Sequence, residues 1–589
     1  MIIIIIFTMY LSNNLKSFFY FLVICFFLNA CKKTQILSDI SISKISVDTS
    51  SNIISNINSQ HISITTQHND NGRTGQNNNE LVLNINNVNQ TNFRKLFSLI
   101  VDDEVYAQPL VMGNLDINGT KHNVVVLATV NNTLYAYDGD NGNLYWKKNY
   151  TINGMRTPNA NDVKSTWCTP YTNITASIGI IGTPVIDSLT NTIYFVARST
   201  DGVQFKQHLH AVDITNGNEK INSPIEITAK ISGKGDANIN NNVFFDPLRN
   251  NQRQGLALVN GVVFISYASH CDLNPFHGWV LGYDTKNLQQ LYVYSTTPDG
   301  EEGGIWQSGM GIAADETGSL YIVTGNGTVG TPSPYSIIPG NGTAENIASI
   351  FPENLSGRSE SAIKLTPTNG NNLKITSYFT PFNYVQMNIN DNDYGVMGSF
   401  LVPNTNLYFT GAKDGNLYIL DKDNMGGYSS NVNNVRQTIS ISGNLHCQPA
   451  FFKGVNKEYA YIWSENDKLR AIEFNRSSNI FNSNQIYANV PGPSGQTGAM
   501  ISVSSDNGKA GTGIVWTSYA SSGDAENGTQ KGILRAFDAN DISKELWNSN
   551  INPGDYVPSF AKFCSPTIAN GHVYLATFSG QVLVYGLLK

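Results

Sequence analysis

From about residue 93 onward, apolar and polar residues alternate in short runs separated by Gly, Asn and Asp. A period of two marks half-buried strands, and the punctuating residues supply turns. One order recurs roughly every forty to sixty residues, a period typical of stacked supersecondary units. It runs from a small or Pro-containing strand through an aromatic-rich strand to a strand ending in Asp before a Gly turn; a fourth strand often carries Trp. Copies read L-Y-A-Y-D-G-D-N-G-N-L-Y-W at 134–146 and L-H-A-V-D-I-T-N-G at 209–217, with V-L-G-Y-D at 280–284, L-Y-I-L-D at 417–421 and L-R-A-F-D at 534–538. The Gly after Asp138 and Asp213 suits the positive-φ position of a hairpin.

These units predict an all-β, eight-bladed propeller. First strands are expected near Gln108, Thr183, Gln254, Ser308, Gly398, Gln448, Ala499 and Ser565. The last unit ends at Lys589 after three strands. A lone strand at 94–101 is expected to supply the fourth and close the ring, which removes an adhesive sheet edge.

Two segments precede the repeats. Lys16 leads into an apolar run at 18–28, too short to cross a bilayer, that ends Leu28-Asn29-Ala30-Cys31. This resembles a bacterial lipobox, so 1–30 is expected to be a lipoprotein signal peptide and Cys31 the lipidated mature N-terminus. Residues 31–67, rich in Ser, Ile, Asn and Thr without a helical period, are expected to be a tether, and 68–589 the propeller. The expected location is the bacterial cell envelope, lipid-anchored, periplasmic or at the outer membrane.

Composition narrows the partners. With 14% charged residues and a formal charge of -7, nothing is basic enough to neutralise phosphates, so nucleic acid is not expected. The lipid bilayer through Cys31, envelope proteins and glycans are the expected partners. Cys168, Cys271, Cys447 and Cys564 allow up to two disulfides with three pairings open. No C-x-x-C pair occurs, so zinc bound by cysteine is unsupported.

In an up-and-down blade, the connections between blades share a face with the loops between second and third strands. The long segments 149–178, 299–307, 326–361 and 521–531 all fall there. Binding is expected on this long-loop face near the axis, because function concentrates on loops held by a rigid scaffold.

The repeats resemble those of the pyrroloquinoline quinone (PQQ) propeller superfamily, which includes quinoprotein alcohol dehydrogenases and an outer-membrane barrel-assembly scaffold lipoprotein. The resemblance spans roughly 68–589. More narrowly, several stretches are similar to a secreted bacterial group of PQQ-like repeat proteins of unassigned function. They are H-N-D-N-G-R-T-G-Q-N at 68–77, S-H-C-D at 269–272, H-G-W-V at 277–280, G-G-I-W-Q-S-G at 303–309, L-D-K-D-N-M-G-G at 420–427, K-E-L-W-N-S at 544–549 and the tail at 573–587. The resemblance implies PQQ with calcium as the cofactor of an alternative reading, a dehydrogenase of alcohols or sugars. The chain departs from that pattern: it has no adjacent Cys pair and no C-x-x-C-H for haem. The catalytic residues of such an enzyme are not placed, and a binding or scaffolding role is expected instead.

Candidate chemistry lies in three places. His270, Cys271, Asp272 and His277 form the densest cluster of reactive types, expected to be a loop held by hydrogen bonds. Glu301 and Glu302 point opposite ways in an extended chain and are expected in a solvated turn. Arg73, Gln108, Arg253, Trp306, Gln307, His446 and Lys562 lie near first-strand starts and are expected to ring the channel mouth, suiting an anionic or sugar-like ligand. A ligand is expected beside Trp306 and Gln307, away from His270, since first strands of several blades converge there. Trp146 and Trp547 are expected to be packing anchors between blades.

Overall fold

The computed structural model describes residues 61–163, 169–330 and 357–588. The expected signal peptide, Cys31, most of the expected tether and Cys168 lie outside the described residues.

Among the described residues, eight blade sheets with antiparallel strands follow one another along the chain, beside two small two-stranded sheets. Blade 1 consists of Leu110–Ile117, Thr120–Ala128, Thr133–Asp138 and Leu144–Asn149. The first strands of blades 2 to 8 are Val185–Asp187, Ala257–Val259, Ala313–Ala314, Phe400–Leu401, Ala450–Lys453, Met500–Ser504 and Thr567–Ala569. Each begins within a few residues of its expected start. Alternation along each strand buries both sheet faces against neighbouring blades, and eight apolar clusters result. One joins blades 1 and 2 through Val126, Ala136, Ile193 and Phe195; the series ends with Val111, Tyr135, Tyr574 and Val584 between blades 1 and 8. Trp547 is buried edge-on to Phe93 at 5.0 Å, and Trp146 Nε1 donates to Ile214 O across blades at 2.9 Å, so both do anchor blade packing.

The strand Phe93–Ile100 closes the ring, pairing antiparallel with Gln581–Leu587. Blade 8 is therefore built from both ends of the repeat region, as the three-strand count required.

The segment just before it does something the periodicity did not indicate. Residues 61–79 run round the inner edges of the first strands and touch all eight blades. Backbone N–H groups of Val111, Ile186, Ala314, Leu401, Phe451 and Val503 donate to carbonyls of Ile64, Thr65, Asn71, Gly72, Thr74 and Gly75, at 2.7–2.9 Å. Asn71 Nδ2 and Asn77 Nδ2 reach Leu258 O and Ile568 O, each at 2.9 Å, in blades 3 and 8. First-strand edges otherwise present unpaired donors to the channel, and this belt satisfies them. Residues 61–67, grouped by composition with the tether, are built into the ring. The belt enters at the face of the short hairpins, where Ile62 N meets Asn570 Oδ1 at 2.6 Å. The channel is thus filled from that side.

Candidate functional site

What remains of the channel opens on the long-loop face as a cavity of about 200 Å³. Residues just ahead of the first strands of several blades line it: Arg253, Ser308, His446 and Phe563. Gln448 holds its floor. Its amide donates to Ser308 O at 2.7 Å and Phe563 O at 2.9 Å, spanning three blades, while Ser565 Oγ donates back at 2.5 Å.

Several of its walls are held in unusual backbone. Cys271, Asp272, Ser308, Asp391 and Phe563 have φ of 48°, 45°, 47°, 56° and 64°, and all line the cavity. Left-handed backbone at such residues costs of order 1–3 kcal/mol each and persists where the surroundings impose it, typically at binding and catalytic sites. Most other non-glycine residues with positive φ are asparagines, the type that tolerates it best.

The expected mouth residues separate into two groups. Arg253, Trp306 and His446 line the cavity. Lys562 sits behind the wall, donating to Ala525 O at 2.9 Å and Glu526 O at 2.5 Å; burial and then Arg253 push its amine down to about 7. Arg73, Gln108 and Gln307 are structural instead. Arg73 bonds four oxygens within the belt region. Gln108 accepts from His68 N at 3.0 Å and donates to Thr567 Oγ1 at 3.1 Å. Gln307 turns inward, donating to Met310 O and Gly311 O, each at 3.2 Å, and accepting from Val323 N at 3.0 Å. The chain turns here in a short 3-10 segment, Gln307–Gly309, which puts Trp306 and Ser308 at the cavity and Gln307 inward.

The His270 cluster and the mouth are not alternatives. Cys271 and Asp272 share the cavity with Trp306. His270 is a structural residue: Tyr171 Oη lies 3.0 Å from Nδ1, Arg198 contacts Nε2, and burial holds the ring well below its usual pKa. His277 is likewise tied to Thr297 Oγ1 at 3.0 Å and Asp236 O at 3.1 Å. Cys271 is disulfide-bonded to a partner outside the described residues, whereas Cys447 and Cys564 are buried free thiols. Of the up to two disulfides that these four cysteines allow, at most one is therefore made among them. Glu302 is not in a solvated turn. It is 1% exposed, accepts from Asn274 Nδ2 at 2.7 Å, and burial with repulsion from Asp272 raises its pKa well above normal.

Asp391, Asp393 and Lys413 escaped sequence reading. Lys413 Nζ lies 3.0 Å from Asp391 and 2.6 Å from Asp393. They come from the polar run N-D-N-D-Y-G and from K-D-G two strands later, which resemble ordinary turns; only the ring brings them beside Asp272. Asp272 is exposed to the cavity; partial loss of solvent beside the wall, then repulsion from Asp393 and Asp391, raise its pKa to about 7. Trp306 lies over two glycines. A Cβ on Gly304 would sit 3.0 Å from Trp306 Nε1; one on Gly325 would sit 3.1 Å from Trp306 Cδ1 and collide with Asp393 Oδ1.

The geometry defines the class: a closed eight-bladed β-propeller. Among solved structures, the chain is similar to the quinohemoprotein alcohol dehydrogenase of Comamonas testosteroni, at 12% identity and a TM-score of 0.55, covering 91% of this chain and 82% of that one. It is equally similar to the quinohemoprotein alcohol dehydrogenase ADHIIG of Pseudomonas putida HK5, at 13% identity and a TM-score of 0.57, with the same coverage. At such identity the likeness establishes the fold alone. No family model matches the chain, and no curated protein matches it.

The residues present do not fit the quinone. PQQ is a flat tricarboxylate. The cavity presents Asp272, Asp391, Asp393 and Glu526 against Arg253 and Lys413, and Lys413 is already paired. Its volume lies below the roughly 300–1,000 Å³ of sites that enclose drug-sized ligands. Among the described residues, no three His, Cys, Asp or Glu side chains converge as a metal would require. The excess of carboxylates disfavours a simple anion, one half of the expected anionic or sugar-like ligand.

Proposed function

We propose that this chain is a binding propeller of the bacterial cell envelope, anchored through Cys31, that presents the axial cavity of its long-loop face to a ligand or partner. One observation carries the reading: the belt occupies the inner edges of the first strands, and the cavity on the long-loop face is walled by left-handed residues from several blades. The alternative, a PQQ-dependent dehydrogenase of alcohols or sugars, draws support from the fold but not from the charge or size of the cavity. A thermal-shift screen of amino acids, sugars and polyamines against the purified chain tests the reading. Hits should be lost in Trp306→Ala and kept in Val203→Ala, an exposed residue remote from the cavity lining. Hits unaffected by Trp306→Ala would overturn it.

A further inference from the structure

The cavity carries opposite charge at two ends. At one, Arg253 lies over the Phe563 ring at 4.0 Å. Its Nε is buried without a hydrogen-bond partner, and among the described residues no carboxylate pairs with the guanidinium. Its electrostatic neighbours are Tyr106, Tyr171, His270 and Lys562. At the other end are Asp272, Asp391 and Asp393, with Lys413 offsetting part of their charge. Among the described residues, the one side-chain hydrogen bond to Asp272 is a long 3.4 Å approach from Ser269 Oγ. Lys413 is already held by two carboxylates, so Asp272 is open to a further donor.

A half-buried guanidinium whose buried Nε lacks an acceptor, and a crowded carboxylate without a strong donor, both gain from a new partner. A simple anion would satisfy Arg253 but meet the carboxylates. A simple cation would satisfy Asp272 but leave Arg253 unpaired. A neutral sugar would relieve neither charge. A molecule bearing both charges relieves both.

We propose that the cavity binds a small zwitterion, an amino acid in the broad sense, with its carboxylate on Arg253, its ammonium on Asp272 and Asp391, and its carbon chain against Trp306. The volume of about 200 Å³ admits a compact molecule of this kind and excludes a folded peptide. This rests on the reading of the cavity as a ligand site and specifies its ligand.

Calorimetric titration of the purified full-length chain with glycine, γ-aminobutyrate and 6-aminohexanoate tests it, with butyrate, butylamine and glucose as single-feature controls. At least one amino acid should bind tenfold or more tightly than every control. Arg253→Gln should weaken that binding at least tenfold and bring it to the level of butylamine; Asp272→Asn should bring it toward butyrate. Arg253→Lys keeps the positive charge and should retain part of the affinity, which separates lost recognition from lost folding. Glucose or a single-charge control binding as well as the amino acids would overturn the zwitterion while leaving a ligand site. No binding by any of the six would also overturn it. The ligand-site reading itself fails separately, if hits from the thermal-shift screen survive Trp306→Ala.

Discussion

Arg73→Met removes the centre of the belt. Arg73 is fully buried and donates to Ile312 O at 2.9 Å, Thr66 Oγ1 at 2.7 Å, Gln67 O at 2.6 Å and Leu256 O at 3.2 Å, joining the belt to blades 3 and 4. Bonds from a charged donor contribute about 1.5–3 kcal/mol each, and methionine leaves three buried carbonyls without this partner. Against this stands the cost of stripping water from the guanidinium, which burial pushes down to about 10; that offsets about 3 kcal/mol. Bonds on one side chain do not add fully, so the net loss is about 4 kcal/mol. Unfolding entropy of roughly 2.1 cal/mol/K per residue over the folded unit gives about 1.1 kcal/mol/K, so Tm should fall by about 4 °C. Differential scanning calorimetry of the two proteins at pH 7.5 reads this directly. A fall of less than 1 °C would mean that the belt is not part of the cooperative unit, and the sealed channel would lose its support.

Three further outcomes follow. Gly325→Ala should abolish ligand hits in the thermal-shift screen with little loss of stability, because the added methyl displaces Trp306 and Asp393; retained binding would show that the glycine cradle is unimportant. Lys562 sits at about 7 in the folded chain against 10.5 unfolded, so between those values the unfolded chain binds the extra proton and stability should rise with pH, by up to about 1.4 kcal/mol per pH unit. Below about pH 7 both states carry the proton and this slope vanishes; Lys562→Met should flatten the rise in urea titrations from pH 7 to 10, and an unchanged slope would place the titration elsewhere. Cys31→Ala should eliminate incorporation of labelled palmitate in a bacterial host, and unchanged labelling would refute the anchor.

Period and punctuation made the ring legible because each blade is specified locally, by alternating strands and polar turns, in several blades an Asp followed by Gly. Even the closing strand could be inferred, since a three-stranded last unit leaves one place vacant. The belt could not. Residues 61–79 bond largely through their own carbonyls and three or four polar side chains, and backbone acceptors leave no mark on composition. Arg73 and Gln108 looked like mouth residues for that reason: a polar residue near the axis reads alike whether it faces a ligand or a buried carbonyl. Trp306 and Gln307 were adjacent, so only one could face the cavity, and the sequence does not say which. Asp391, Asp393 and Lys413 were invisible because their partnership with Asp272 is made by ring closure between blades, across long stretches of chain. Asp272 itself was legible as part of a reactive cluster, but the cluster's position at the mouth was not.

The account holds that this propeller binds at its mouth and does not carry a quinone. Titration of the purified chain with PQQ in the presence of calcium, followed by quinone absorbance and by dye reduction with alcohols and aldoses, tests that most directly. The account predicts no saturable uptake and no turnover; stoichiometric PQQ binding with dye reduction, lost in Trp306→Ala, would contradict it.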